Sequence, residues 1–270
     1  MKSKPLVLTA AILAFAPSLF AQAPAAPAAP AAPTKAAPAA APAKPALPPQ
    51  APDVAAPKVG RDGQPDAGFI KAHENFVALA KKGDIGLVFL GDSITAGWNG
   101  AKEVWDKSFS AYKPVNFGIG GDRTQHVLWR IQNGELDGIS PKALVLMIGT
   151  NNSGGDVAEG TAKGIKNIVD TVRTKCPNTK ILLLAIFPRG PVAGTPEKPN
   201  PGRTKNDAVN AIISKLDDGK HVFYLDIGKV FLKEDGSFKD DISKDYLHFN
   251  PAGYQLEADA IKDKLAELMK

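Results

Sequence analysis

The chain has 270 residues, with 33 Lys and Arg against 28 Asp and Glu, 44% hydrophobic residues and one cysteine. This length suits one or two domains, and the lone Cys176 excludes an intrachain disulfide framework and a Cys/His zinc cluster. The formal charge of +5 points to nucleic acid or an anionic surface only if it belongs to the part that folds.

Residues 1–23 begin with Lys2 and Lys4, continue through an apolar stretch from Leu6 to Phe20 broken only by Thr9, Pro17 and Ser18, and end in Ala21-Gln22-Ala23. These are the three parts of a secretory signal peptide. The run falls short of the roughly 20 apolar residues of a membrane-spanning helix, and no cysteine near the cleavage site could take a lipid. The sequence therefore predicts a secreted or periplasmic protein with no stable membrane anchor.

From Pro24 to Pro57, 27 of 34 residues are Ala or Pro. Proline removes backbone donors and alanine offers little apolar area, so 24–57 is predicted to be a disordered linker; a segment that docks a Pro-binding partner has the same composition. Residues 58–270 then hold 29 basic and 27 acidic residues. That near balance, with no basic run and no interleaved aromatics, predicts no nucleic-acid partner.

The next segments alternate in character. Helical spacing runs from Phe69 to Lys81, and an almost continuous apolar run, Ile-Gly-Leu-Val-Phe-Leu, follows at 85–90. Similar runs recur at Pro114 to Phe117, Ala143 to Ile148, Lys180 to Phe187 and His221 to Ile227. Between and after them, helical spacing returns at Arg123 to Gln132, Ala158 to Arg173, Asn206 to Leu216 and Pro251 to Met269. Continuous apolar runs indicate strands covered on both faces, and their alternation with helices predicts one α/β domain over 58–270: a three-layer, doubly wound, flavodoxin-like five-stranded parallel sheet with helices on both faces.

Ligand sites in such sheets lie beyond the carboxyl ends of the strands. Gly91-Asp92-Ser93, Gly118-Ile119-Gly120-Gly121-Asp122, Gly149-Thr150-Asn151-Asn152 and Pro188-Arg189-Gly190 follow the apolar runs, and the fifth leads towards Asp245-Tyr246-Leu247-His248. A serine on a tight strand-to-helix turn projects its Oγ over the sheet edge, although Gly-Asp-Ser is also an ordinary turn or helix cap. Asp245 precedes His248 by three residues, a spacing that can place the carboxylate at Nδ1 and leave Nε2 to accept the serine proton; the competing reading of His248 is a surface cap on the last helix. An acyl transfer also needs donors for the developing oxyanion. Gly120 and Gly121 can bring backbone N–H groups close, Asn151 can offer its amide, and Ser93 its own N–H; turn formation explains the asparagines equally well.

The other polar and aromatic residues carry two readings each. His73 is expected to be solvated, His221 opens a strand, and His126, among apolar neighbours, is expected to be packed or hydrogen-bonded. Arg123 and Arg189 either orient substrate or pair with carboxylates. Asp92 is expected to bond within its turn, and Trp98, Trp105 and Trp129 to pack in the core, with pocket lining the alternative for Trp98. Cys176 reads as an isolated thiol.

The blocks Gly91-Asp92-Ser93-Ile94, Gly120/Gly121, Gly149-Thr150-Asn151-Asn152 and Asp245-Tyr246-Leu247-His248 resemble, in order and spacing, those of the SGNH/GDSL hydrolase superfamily. The stretch from Asn116 to Arg130, together with Pro188-Arg189-Gly190 and Pro199-Asn200-Pro201, is similar to the branch of the platelet-activating-factor acetylhydrolase Ib catalytic subunits. The resemblance implies Ser93 as nucleophile, Ser93, Gly121 (beside Gly120) and Asn151 as oxyanion donors, Asp245 as orienting acid and His248 as base, with an acyl-serine intermediate and neither metal nor cofactor. Residues 191–198 resemble an insertion in that pattern.

The expected function is a secreted serine esterase that removes short acyl groups, acetyl first, from small-molecule or carbohydrate oxygen esters. The rivals are a phospholipase, lipase or acetyl-phospholipid hydrolase, and a non-catalytic domain that binds acylated glycans. Oligomeric state leaves no mark in the sequence.

Overall fold

The computed structural model describes residues 50–192, 194, 198 and 200–270. The signal peptide expected at 1–23, the linker as far as residue 49, and residues 193 and 195–197 of the expected insertion lie outside the described residues.

In chain order the elements are α1 (Ala67–Lys82), β1 (Leu87–Gly91), α2 (Ser93–Ala96), α3 (Lys102–Phe109), β2 (Pro114–Gly118), α4 (Thr124–Arg130), β3 (Ala143–Met147), α5 (Ala158–Lys175), β4 (Lys180–Leu184), α6 (Pro201–Ile213), β5 (Val222–Leu225) and α7 (Pro251–Leu268). The strands form one parallel sheet in the order β2-β1-β3-β4-β5. Strand side chains alternate between the faces and both are covered. Val88, Leu90, Leu144, Leu146, Ile181 and Leu183 meet the apolar stripes of α4, α5 and α6, while Leu87, Phe89, Val145, Leu182 and Leu184 meet α3 and α7. The expected doubly wound three-layer fold is present.

This strand order has its switch point between β1 and β3, because the chain leaves β1 towards β2 on one side and returns to pair β3 on the other. The crevice above that point is bordered by the loops after β1, β2 and β3.

Several boundaries differ from expectation for local physical reasons. The fourth apolar run leaves the sheet after Leu184 because Asn210 of α6 takes over its backbone, accepting from Ile186 N–H at 2.8 Å and donating to Ile186 C=O at 2.9 Å. Helix α6 starts at Pro201 rather than Asn206, since Asn200 caps the amides of Gly202 and Arg203 and proline suits the first helical position. Helices α2 and α3 carried too little periodicity to be expected.

The end of the expected linker is also different. Residues 50–57 lie along α4 and α5 as a strap: Thr124 Oγ1 donates to Pro52 C=O at 2.6 Å, Asn167 Nδ2 to Asp53 C=O at 2.9 Å, and Ala56 N–H to Gln125 C=O at 3.2 Å. Lys163 pairs with Asp53 at 2.6 Å. A Pro-rich segment is short of backbone donors, and although Val54 N–H reaches Ala51 C=O and Gln50 Nε2 reaches Pro57 C=O within the strap, the carbonyls of Pro52 and Asp53 are left to accept from helix side chains.

Candidate active site

The turn after β1 is built by close packing. A Cβ on Gly91 would overlap the Thr95 hydroxyl and the Met147 carbonyl, so glycine is what lets α2 fold back against β1 and β3. Asp92 caps α2, its Oδ1 accepting from Ile94 N–H at 3.0 Å. Burial pushes the Asp92 carboxyl up to about 7, against the pull of the Ile94 amide and with a further push from Asp122. From the other side, Tyr254 of α7 donates its hydroxyl to Ile94 C=O at 2.6 Å and holds the turn from beneath. Both readings of Gly-Asp-Ser are realised together: the turn is a cap, and it presents Ser93.

Ser93 Oγ lies 2.8 Å from His248 Nε2, and His248 Nδ1 lies 2.6 Å from Asp245 Oδ2. The other carboxylate oxygen, Asp245 Oδ1, accepts from His248 N–H at 2.8 Å, Leu247 N–H at 3.1 Å and Ser243 Oγ at 3.1 Å. Burial opposes the charge on Asp245, but these bonds to His248 and the neighbouring amides outweigh it and hold the carboxyl at about 2. A carboxylate that stays ionised fixes the proton on Nδ1 and leaves Nε2 basic towards the serine. His248 precedes α7, but Asn250 is the residue that caps that helix, through Ala252 and Gly253 N–H.

The loop after β2 faces the same serine. A Cβ on Gly120 would come within 4.0 Å of Ser93 Cβ, and Gly121 sits at φ +74°, a conformation open to glycine. Asn151, in the turn after β3, donates one amide hydrogen to Asp122 C=O at 2.8 Å, leaving its second for another acceptor. Asn152 serves the scaffold instead. Its side chain bonds Thr124 N–H at 3.1 Å and Asp156 Oδ2 at 2.8 Å, tying this turn to the start of α4.

Beneath these loops lies a buried ion network that motif reading did not assign. Arg130 reaches Asp122 Oδ2 through Nε at 2.9 Å, Phe117 C=O at 3.0 Å and Gly91 C=O at 3.3 Å through Nη2, and Glu135 through Nη1. Its signal was a charge on the apolar face of a helix, beside Val127 and Ile131. His73 belongs to the same network. It is buried, with Nδ1 3.0 Å from Glu135 Oε1, which corrects the solvated role expected for it; no local pattern marks a partner 62 residues away. His126 accepts from Arg123 N–H at Nδ1 (3.1 Å) and meets Gln50 Oε1 at Nε2 (3.0 Å), as a packed and hydrogen-bonded histidine should. Burial, reinforced by Lys58, Arg123 and Arg130, pushes it down to about 3, so it remains neutral.

A cleft of about 570 Å³, reaching the site at Asn151 and Asp245, is lined also by Thr150, Ser153, Arg189 and Asn200, among others. Arg189 is held there by Thr150 C=O at 2.9 Å and Ser153 Oγ at 3.1 Å, with no carboxylate partner among the described residues. Trp98 is buried with Phe89, Phe109 and Tyr254, and Cys176 is a buried free thiol. Among the described residues no group of three His, Cys, Asp or Glu side chains could hold a metal ion, and no helix is long and apolar enough to cross a membrane.

The GDSL-like lipase/acylhydrolase family matches residues 89–256. Platelet-activating factor acetylhydrolase IB subunit alpha1 of Bos taurus is 38% identical over 210 residues, which cover 77% of this chain and 87% of the relative. Subunit alpha2 of Rattus norvegicus is 37% identical over 217 residues, covering 80% and 91%. A solved GDSL-like lipase from Bacteroides thetaiotaomicron shares the fold, with a TM-score of 0.57 at 20% identity over 73% of this chain and 97% of that one. A serine, histidine and carboxylate in hydrogen-bonded line at the switch point of a doubly wound sheet, within a chain so similar to ester hydrolases, place this protein in the GDSL-like lipase/acylhydrolase family, as a hydrolase acting on esters.

Proposed function

We propose that this protein is an exported serine esterase that removes short acyl groups, acetyl first, through an acyl-serine intermediate, with carbohydrate esters as its substrates. The observation that carries the chemistry is the chain of contacts from Ser93 Oγ to His248 Nε2 at 2.8 Å and from His248 Nδ1 to Asp245 Oδ2 at 2.6 Å.

In this mechanism His248 takes the Ser93 proton as Oγ attacks the ester carbonyl, and Asp245 stabilises the imidazolium. The N–H groups of Ser93 and Gly121 and the free amide hydrogen of Asn151 receive the developing oxyanion. The alcohol departs with the proton from His248. Water, deprotonated by the same imidazole, then attacks the acyl-serine; Ser93 Oγ leaves with the proton from His248, and the acyl group departs as the carboxylic acid.

The acetyl preference is supported by the names of the curated relatives, which are acetylhydrolase subunits. A hydroxyl-rich acceptor is favoured by the mostly polar lining of the cleft that Asn151 and Asp245 border, whose amide, hydroxyl and guanidinium groups match sugar hydroxyls better than acyl chains. Export rests on the tripartite pattern of residues 1–23. An acetylated phospholipid is the second reading, favoured by the same relatives.

The test measures acetate released from acetylated xylan, acetylated monosaccharides and an acetyl phospholipid analogue by the wild type and by Ser93→Ala, with mass spectrometry of the Ser93 peptide after rapid quenching. The proposal expects turnover of the sugar esters, a transient acetyl group on Ser93 and no turnover by the variant. Faster turnover of the phospholipid analogue would replace the carbohydrate assignment, and undiminished hydrolysis by Ser93→Ala would overturn the mechanism. N-terminal sequencing of the protein recovered outside the cytoplasm tests export, with cleavage expected after Ala21 or Ala23.

A further inference from the structure

Lys58 stands where the strap meets the glycine loop. Its Nζ accompanies Asp122 Oδ1 at 2.8 Å, donates to Gly120 C=O at 2.6 Å and lies 5.5 Å from the centre of the Phe69 ring. Its own backbone is fixed, because Lys58 C=O accepts from Asp66 N–H at 2.8 Å and Asp66 caps α1. Its side chain is 20% exposed, so the ammonium is largely withdrawn from water, and its partner carboxylate is fully buried.

The bond to Gly120 C=O matters because of peptide geometry. The carbonyl of Gly120 and the N–H of Gly121 belong to one peptide unit, no described peptide is cis, and in a trans unit the two groups point in opposite directions. Holding the carbonyl towards Lys58 therefore fixes the Gly121 N–H on the opposite side. Glycine on both sides of this peptide leaves few steric barriers to its rotation, so the sequence of the loop alone does not choose between the two orientations. The same ammonium anchors Asp122, whose carbonyl receives the Asn151 amide. One side chain thus governs two of the three expected oxyanion donors.

We infer that Lys58 is a positioning residue for ester hydrolysis, setting the orientation of the Gly120–Gly121 peptide and, through Asp122, the Asn151 amide. It makes the first residue after the strap, directly beyond the segment that the sequence reads as a tether, a working part of the site. The inference rests on the proposed oxyanion role of Gly121 and Asn151, and it goes beyond that reading by locating what holds them.

The experiment compares wild type, Lys58→Met, Lys58→Arg and Lys163→Met in two measurements: hydrolysis of p-nitrophenyl acetate, and amide hydrogen exchange over residues 118–123. Lys163 pairs with Asp53 on the strap and is 66% exposed, so its variant loosens the strap without touching the loop. Lys58→Met is expected to lower kcat roughly 10- to 100-fold with KM changed less than about threefold, because donor geometry counts most in the transition state. Exchange over 118–123 should accelerate in the same variant while the core strands keep their protection. Lys58→Arg, able to donate to both the carbonyl and the carboxylate, should recover most of kcat, and Lys163→Met should match the wild type in both measurements. Unchanged kcat and exchange in Lys58→Met would overturn the inference. So would an equal loss in Lys163→Met, or a Lys58→Met whose exchange rises throughout the chain without rescue by arginine, since these mark general destabilisation. A wild type that does not hydrolyse the ester overturns the functional reading instead, and exchange at the loop then still decides whether Lys58 holds it.

Discussion

His248 Nε2 sits 2.8 Å from Ser93 Oγ although 155 residues separate the two. The contact exists because β1 delivers the serine to the sheet edge while Asp245 turns the imidazole towards it. Asp245→Asn replaces an acceptor-only carboxylate with an amide that can favour the wrong histidine tautomer. A loss in kcat of about 10⁴ is expected, with only a modest fall in unfolding midpoint, because the side chain is exposed and the asparagine Oδ1 can still accept from the Leu247 and His248 amides. Steady-state kinetics with p-nitrophenyl acetate beside a thermal melt checks both halves.

Asn151→Ala removes one expected oxyanion donor and the bond to Asp122 C=O together. Turnover should fall by about 100- to 1,000-fold, with KM little affected. A variant that raised KM while leaving kcat intact would assign Asn151 to ground-state binding.

Arg130→Met tests the buried network. The substitution keeps much of the side-chain volume but takes the guanidinium from the buried carboxylates of Asp122 and Glu135, leaving them Lys58 and His73, and frees the carbonyls of Phe117 and Gly91. Breaking a buried pair in this way costs about 3–5 kcal/mol. Differential scanning calorimetry should show a midpoint lower by about 10 °C.

Stability should also depend on pH in a definite direction. Burial pushes Asp92 up to about 7 and Glu257 up to about 8, the latter against a bond from Trp98. A carboxyl whose pKa is higher in the folded chain than in the unfolded one, where it is about 4, stabilises the fold in acid and loses that contribution as pH rises through the folded value. Between pH 5 and pH 8 these two groups therefore make stability decline, and Glu257→Gln should flatten the decline. Asp245, held at about 2, has the opposite sign, with its contribution present above about pH 4 and lost as pH falls through 2. Urea unfolding at several pH values reads both slopes, and a Glu257→Gln curve parallel to the wild type would contradict the assignment.

The strands, the long helices and the loops that meet above the sheet were legible from the chain, because continuous apolar runs, helical spacing and residues placed at strand ends are local features. Position after those runs, together with resemblance, marks Ser93, Gly121, Asn151, Asp245 and His248 as candidates, and the structure brings Ser93, His248 and Asp245 into one hydrogen-bonded line. Boundaries shifted where side chains replaced backbone partners, as Asn210 does at Ile186 and Asn200 at the start of α6. The strap was hidden for another reason. Composition marks 50–57 as unable to fold alone, yet says nothing about the helices that receive its carbonyls.

Order along the chain thus sufficed for the sheet and for the candidates of the site, since period and spacing are properties of neighbours. The burial of His73 against Glu135, the grip of Arg130 beneath the loops and the hold of Lys58 on Gly120 and Asp122 depend on how distant segments come together. Such contacts form only once packing has excluded water and each polar group must find a partner, a condition that belongs to the folded chain as a whole.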